Sequence, residues 1–255
     1  MTEQVVVTFT SFPGAIDYAP GVVRSLLAGS VLPDKIVLYV TMSQFYGKEL
    51  PAELLALQKE NEIFEIRDYP ADIRSYRKLI PALKDFPEAV IVTVDDDVWY
   101  HHDMLKQLLE MHSRFPGEVI AHRARIVKPG EPYKKWKKLR WYHFLARRIY
   151  RSPLVMQTGV GGVLYPPHSL KEEMIDEKLF TQLAPTADDI WFWAAAVANG
   201  RVTIPVPFGK NKPKCLGKPK SLSLKTVNFK TGEDRNSEAL RRILEAFPDV
   251  RDVLK

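Results

Sequence analysis

The chain of 255 residues is 45% hydrophobic and 27% charged with a net charge of +6, the balance of a globular protein rather than a disordered or membrane-embedded one. At this length roughly 70–75% of the unfolded surface is buried on folding, so the core needs no cross-links. Cys215 is the sole cysteine, which excludes a disulfide framework and a cysteine-built zinc or iron–sulfur site and favours a reducing compartment.

Val5 to Thr10 reads as a first strand and Tyr18 to Leu27 as a helix with Pro20 near its first turn. Lys35 to Thr41 is a second strand, Leu50 to Glu60 a helix, Ile63 to Arg67 a third strand, and Ile73 to Leu83 a helix. Ala89 to Val94 is a fourth strand. This alternation predicts an α/β fold with a mainly parallel, doubly wound sheet. Met104 to Phe115 is helical by period, and the strand-like Glu118 to Arg123 opens a less regular second half. One domain over 1–255 is expected, with a first half at 1–100 of a kind that binds nucleotides well, a second half at 101–206, and a C-terminal basic loop and helix at 207–255. No basic segment followed by a long apolar stretch opens the chain, so a cytoplasmic location is expected. No run approaches the ~18 apolar residues that span a bilayer.

Asp95, Asp96 and Asp97 follow the fourth strand directly. Adjacent carboxylates repel one another, and a hard divalent cation with oxygen ligands relieves the repulsion. The crevice beyond the carboxyl ends of strands is the usual ligand site of open α/β sheets, so place and chemistry agree. The competing explanation is turn formation or helix capping, by Asp97 or Asp103. A glycine-rich dinucleotide fingerprint and a Walker-type loop are both missing, so phosphate charge is expected to fall to metal and basic side chains. The net charge favours anionic partners: nucleotides, lipid head groups or phosphorylated glycans.

Four other clusters stand out. Arg74 and Lys78 are four apart, and on a helix they share a face near the rim of the acids, with Asp68 placed to accept a hydrogen bond from a base. The run Thr158 to Pro167 holds Gly159, Gly161 and Gly162, which permit close approach of a sugar or phosphate to the main chain. Asp188 and Asp189 open an apolar helix reaching Ala198. Capping explains one of them, and the second is free to be a general base beside Trp191 and Trp193, whose indoles suit a sugar face unless they belong to the core. From Glu131 to Arg151, basic residues alternate with aromatic ones. On a helix this stretch resembles an interfacial segment for anionic lipid, with contact expected through 134–151, against the alternative of a solvated basic helix. Lys210 to Lys214 and Lys218 to Lys220 read as a mobile basic loop able to close over a diphosphate. His101 and His102 are not favoured as ligands.

Taken together, Asp95-Asp96-Asp97, the segment Arg74 to Leu83, the Gly159-to-Tyr165 loop and Ala187 to Trp191 resemble a bacterial glycosyltransferase of the GT-A type, closest to family-two-like enzymes that build capsule or lipopolysaccharide glycans. The resemblance covers roughly residues 5 to 206. It implies a Rossmann-like, nucleotide-binding half and an acceptor-binding half, and transfer from a nucleoside-diphosphate sugar, UDP favoured, to a glycan or glycolipid hydroxyl. It also implies Mn²⁺ or Mg²⁺ held by Asp97 and Asp95, with Asp96 assisting. Thr8, Thr10, Ser11, Asp68, Arg74 and Lys78 would line the donor pocket, Gly161, Gly162 and Trp191 would orient the sugars, and Asp189 or else Asp188 would be the base of an inverting reaction. The pair Asp188-Asp189 stands where many inverting relatives have glutamate-aspartate, and the Q-x-x-R-W acceptor motif is missing. A nucleotidylyltransferase and a non-catalytic module binding anionic glycan or lipid are the rival classes. No nucleic-acid partner is expected, and the location implied is the cytoplasm, peripherally the inner face of the membrane.

Overall fold

The computed structural model describes residues 3–139, 151–206, 212–219 and 234–254. Its centre is a seven-stranded sheet formed from β1 (Val5–Thr10), β2 (Lys35–Val40), β3 (Phe64–Asp68), β4 (Val90–Thr93), β6 (Val119–Ala121), β10 (Val163–Tyr165) and β11 (Thr203–Pro205). The order is β11-β6-β10-β4-β1-β2-β3, and only β10 runs antiparallel to its neighbours. A parallel strand covered on both faces is apolar throughout, which is why Val5 to Phe9, Ile36 to Val40 and Val90 to Val92 carry so few polar residues.

Alternate residues of these strands feed two cores. Val7, Phe9, Ile36, Leu38 and Val92 pack toward α1 (Ala19–Leu27), α2 (Ala52–Glu60) and α4 (Met104–Arg114). Val6, Val37, Tyr39 and Ile91 face α3 (Ile80–Asp85), α5 (Glu177–Leu183), α6 (Asp188–Ala198), α7 (Arg235–Ala246) and α8 (Pro248–Val253). The chain moves outward from β1 to β2 and β3, then returns to the other side of β1 as β4. The sheet therefore reverses its winding between β1 and β4, the position where open α/β sheets leave a crevice.

Two small ribbons complete the described structure. β5 (Val98–Trp99) pairs antiparallel with β12 (Lys214–Cys215), and β7 (Ala124–Ile126) lies between β8 (Lys137–Lys138) and β9 (Val155–Gln157). Among the described residues no helix is long and apolar enough to cross a membrane.

Two predicted helices are corrected. The segment Ile73 to Leu83 is a 3-10 turn at Arg74–Lys78 followed by α3. Pro81 suits the first turn of a new helix and not the interior of a longer one, and Tyr76 is pulled beneath the sheet, stacked on Phe180 at 4.1 Å between ring centres. The basic aromatic segment is likewise no continuous helix. Tyr133–Lys135 is a 3-10 turn and Lys137–Lys138 is β8, while 140–150 lies outside the described residues, as do Lys210, Asn211 and Lys220 of the predicted mobile loop.

Candidate functional site

β4 ends at Thr93 and delivers Asp95, Asp96 and Asp97 to the crevice between β1 and β4. Ser11, just past β1, donates its hydroxyl to Asp96 Oδ2 at 2.7 Å, tying the two strand ends together. Asp96 is buried. Burial pushes its carboxyl up, while Lys218 and the Ser11 hydroxyl oppose that rise. Asp95 and Asp97 keep about a quarter of their side-chain surface open, 24% and 23%, so these two face the cleft. The Asp95 amide donates to Tyr100 Oη at 2.7 Å, which fixes the loop leaving the strand.

Lys78 reaches the same place from the 3-10 turn, its carbonyl accepting the Thr8 hydroxyl. Its Nζ lies 3.3 Å from Asp95 Oδ1 and 3.0 Å from Asp188 Oδ2. Burial alone would lower the Lys78 ammonium, but Asp188, Asp95 and Asp189 outweigh it and hold the group well above the usual lysine value. The contact with Asp188 is an ion pair out of line for a hydrogen bond, and that buried oxygen has no hydrogen-bond partner among the described residues.

Asp188 and Asp189 begin α6 but do not cap it. The N-cap is Ala187 and no side chain closes the first turn, so the capping explanation fails for both. Asp189 Oδ1 accepts the Gly159 amide at 3.0 Å. Burial first, and Asp188 second, push the Asp189 carboxyl up to about 7, where a general base is effective near neutral pH. Gly159 is required by this convergence. A Cβ there would stand 2.8 Å from Lys78 Nζ, 3.0 Å from Asp95 Oδ1 and 3.4 Å from Asp189 Oδ1.

Lys218 completes the cluster. Leu216, after β12, donates its amide to the Asp97 carbonyl at 2.8 Å and packs over Gly21, so the strap lies down beside the acids. Lys218 Nζ then sits 2.8 Å from Asp96 Oδ1 and 3.0 Å from Asp97 Oδ2. This part of the predicted loop supplies a cation to the acid triplet. Five carboxylates thus face two ammonium groups, leaving three negative charges uncompensated when all are ionised. No three carboxylate or imidazole side chains among the described residues converge tightly enough to hold a metal by themselves. Two open carboxylates with the remaining ligands drawn from phosphates and water is a common way to hold Mg²⁺-like ions, and the donor set at Asp95 and Asp97 fits that.

Several predicted residues lie elsewhere. Arg74 is exposed at φ 53°, and the three-residue period of the turn separates it from buried Lys78. Asp68 is exposed at the end of β3, two strands or about 10 Å from β1, and accepts the Met42 amide at 2.9 Å. The hydroxyls of Thr8 and Thr10 are spent on the framework: Thr8 is fully buried, and Thr10 donates to the Tyr39 carbonyl at 2.8 Å. Trp191 is no sugar platform. It is fully buried, donates Nε1 to the Met174 carbonyl at 2.8 Å, and meets Phe247 edge-on. Gly162, at φ 97°, faces Met104 and Leu108 of α4 rather than the cleft, and Gly161 has φ 115°. His102 bonds the Ala28 carbonyl and His101 the Asp103 amide, so both serve the turn before α4.

Sequence reasoning missed Arg77. Its guanidinium is 2% exposed, donates to Thr10 Oγ1 at 2.8 Å, to Thr41 Oγ1, and to the Ser11 carbonyl at 3.3 Å, and so braces the loop after β1 from below. Burial lowers its pKa, and Asp72 and Asp68 oppose this.

The chain is similar in fold to sugar transferases. A mannosyltransferase from Pyrobaculum calidifontis, solved with GDP-Man and Mn²⁺, matches with a TM-score of 0.56 at 13% identity over 99% of this chain and 74% of that one. A glucosyl-3-phosphoglycerate synthase from Mycobacterium tuberculosis matches with a TM-score of 0.53 at 12% identity over 96% of this chain and 80% of that one. That enzyme was solved with Mn²⁺, UDP and glucosyl-3-phosphoglycerate, and also with phosphoglyceric acid. No family model matches the chain, and no curated protein matches it in sequence. At these identities the likeness is one of fold, the GT-A-like α/β arrangement with a mainly parallel sheet.

Proposed function

We propose that the protein is a metal-dependent glycosyltransferase that moves a sugar from a nucleoside-diphosphate sugar to a hydroxyl on a glycan or glycolipid acceptor of the cell surface. The observation that carries this is the convergence of Asp95, Asp97, Lys78, Asp188 and Asp189 around Gly159 at the switch point, with negative charge left over. The fold neighbours, solved with nucleotide or nucleotide sugar and Mn²⁺, support the same reading.

Asp95 and Asp97 would hold Mn²⁺ or Mg²⁺, which when bound supplies charge to a departing diphosphate. The chain's own groups do the rest. Lys78 and Lys218 add fixed positive charge beside the diphosphate. Asp189, raised toward neutrality, takes the proton of the acceptor hydroxyl as that oxygen attacks the anomeric carbon, and the Gly159 amide holds its carboxylate in place. Asp188, whose buried Oδ2 is ion-paired with Lys78 without a hydrogen bond, is the alternative base. Ser11 and Arg77 hold the loop after β1 as one wall of the nucleotide pocket, with Asp68 at the far, base-reading end.

Incubation with UDP- and GDP-sugars and Mn²⁺, followed by measurement of released nucleoside diphosphate, tests this. The expected result is Mn²⁺-dependent release by the wild type and none by Asp189→Asn. Release of nucleoside triphosphate and sugar 1-phosphate when pyrophosphate is added indicates a nucleotidylyltransferase instead. No release of either, with retained binding of anionic glycan, indicates a binding module.

A further inference from the structure

The donor site accounts for the acids but not for the charge beside them. Residues 123–138 carry seven basic side chains against one acid, Glu131, an excess equal to the net charge of the whole chain, +6. Glu131 is itself paired with Lys135 at 2.8 Å. Among the described residues neither Arg123 nor Arg125 has a carboxylate at ion-pair distance; Arg125 instead lies over the Tyr133 ring at 4.5 Å and donates Nη1 to the Trp136 carbonyl at 3.2 Å.

This basic strip is fastened to the candidate catalytic acids by two successive amides. Thr158 donates to the Arg123 carbonyl at 2.9 Å, and Gly159 donates to Asp189 Oδ1 at 3.0 Å. Consecutive Cα atoms are about 3.8 Å apart, so Arg123 and the Asp189 carboxylate flank one short piece of chain. Arg123 lies immediately before β7, and Met156, directly across from Arg125, belongs to the core that contains α6. The Tyr133 hydroxyl feels both sets of charges: burial and Asp189 push it up to about 12, with Arg125 and Arg123 opposing. On the next strand Lys137 and Lys138 are exposed and extend the positive surface outward.

We propose that Arg123, Arg125 and Tyr133 form a subsite for a phosphate group carried by the acceptor, the same molecule whose hydroxyl is presented to Asp189. This rests on the transferase reading and names its acceptor class. An anionic acceptor approaching five carboxylates that two ammonium groups only partly offset is repelled unless positive charge lies just beyond them, and two guanidinium forks near one phenol match phosphate oxygens better than single ammonium groups do. The phosphate can belong to a soluble metabolite or to a lipid head group.

Glycerol 3-phosphate and glycerol are the soluble probes, titrated with Mn²⁺ and UDP or GDP present and again without nucleotide. Vesicles of phosphatidylglycerol or of phosphatidylcholine are the lipid probes. The wild type is expected to bind a net-anionic probe, glycerol 3-phosphate or phosphatidylglycerol, in preference to its net-neutral counterpart, and Arg123→Gln to weaken that at least tenfold while nucleoside diphosphate–Mn²⁺ affinity stays within twofold. Arg125→Lys, which keeps the charge but loses the fork, is the second variant and is expected to weaken it several-fold. Preference confined to glycerol 3-phosphate identifies a soluble acceptor, and preference confined to phosphatidylglycerol identifies a head group. Equal binding of charged and neutral probes in both arms, or wild-type affinity in both variants, overturns the subsite. Failure of the wild type to bind any nucleoside diphosphate overturns the donor site instead, and the titration without nucleotide still decides this proposal.

Discussion

Lys218 occupies the acids that a metal must reach, and its removal has a consequence of calculable size. The side chain is only 12% exposed, and its ammonium contacts Asp96 and Asp97 at 2.8 and 3.0 Å. The contact with Asp96 is a hydrogen bond and that with Asp97 an ion pair; the latter is what a cation must displace, at about 1.5–3 kcal/mol for a charge-assisted contact. Lys218→Met removes that competitor, so Mn²⁺ without nucleotide should bind tighter by about 1.5–3 kcal/mol, roughly ten- to a hundredfold at 1.4 kcal/mol per decade. The same change leaves buried Asp96 without its cation, so the metal-free variant should melt at a lower temperature and regain most of the loss when Mn²⁺ is added. Calorimetric titration of Mn²⁺ into the wild type, Lys218→Met and Lys218→Arg measures this. Unchanged or weaker Mn²⁺ binding in Lys218→Met, or a gain equally large in Lys218→Arg, refutes the competition.

Gly159→Ala should lower the rate of transfer at least tenfold while shifting the melting temperature by only a few degrees, because the added methyl meets pinned charged groups and not the core; wild-type turnover would show that the cluster yields freely. Trp191→Ala should destabilise the fold by about 3–5 kcal/mol, whereas Trp191→Phe should leave the KM for acceptor unchanged, and a raised KM in the latter would return the indole to the sugar site. Asp189 binds its proton more tightly folded than unfolded, since its carboxyl lies near 7 against an ordinary 3.8. Its contribution to stability is therefore fully present below about pH 4 and is lost as pH rises through 7. Asp189→Asn escapes that loss, so the variant's melting temperature should gain on the wild type by several degrees between pH 4 and 7 and then level; a difference independent of pH would contradict the raised value.

Much of the first half was legible because its strands are parallel and buried on both faces. Such strands are short apolar runs with sharp ends, so β1, β2 and β4 were placed within a residue or two, and with β4 came the acids at its tip. The α6 boundary was equally plain, and of the two readings of its indoles, sugar face or core, the core one holds for Trp191 and Trp193, both fully buried. A helix apolar all round, as Ile190 to Val197 is, belongs to the interior, and that signal was sufficient to put Trp191 in the core. The break at Pro81 was visible as a proline, though the left-handed backbone at Arg74 and the anchoring of Tyr76 beneath Phe180 are tertiary effects. Least legible was Lys218. It lies 122 residues from Asp96, delivered by a ribbon only two residues long, and neither periodicity nor motif announces such a contact. Arg77 was hidden for a related reason: beside Lys78 in a basic run it reads as solvated, yet a tight turn drives both inward.

The central claim is that the acids after β4 hold a divalent cation together with a nucleoside diphosphate. Calorimetric titration of UDP and GDP, with and without Mn²⁺, into the wild type and Asp97→Asn tests it most directly. Binding of one nucleotide that strengthens by at least tenfold with Mn²⁺ in the wild type, and no such strengthening in Asp97→Asn, is the predicted result. Nucleotide binding indifferent to Mn²⁺, or an equal Mn²⁺ effect in Asp97→Asn, contradicts it.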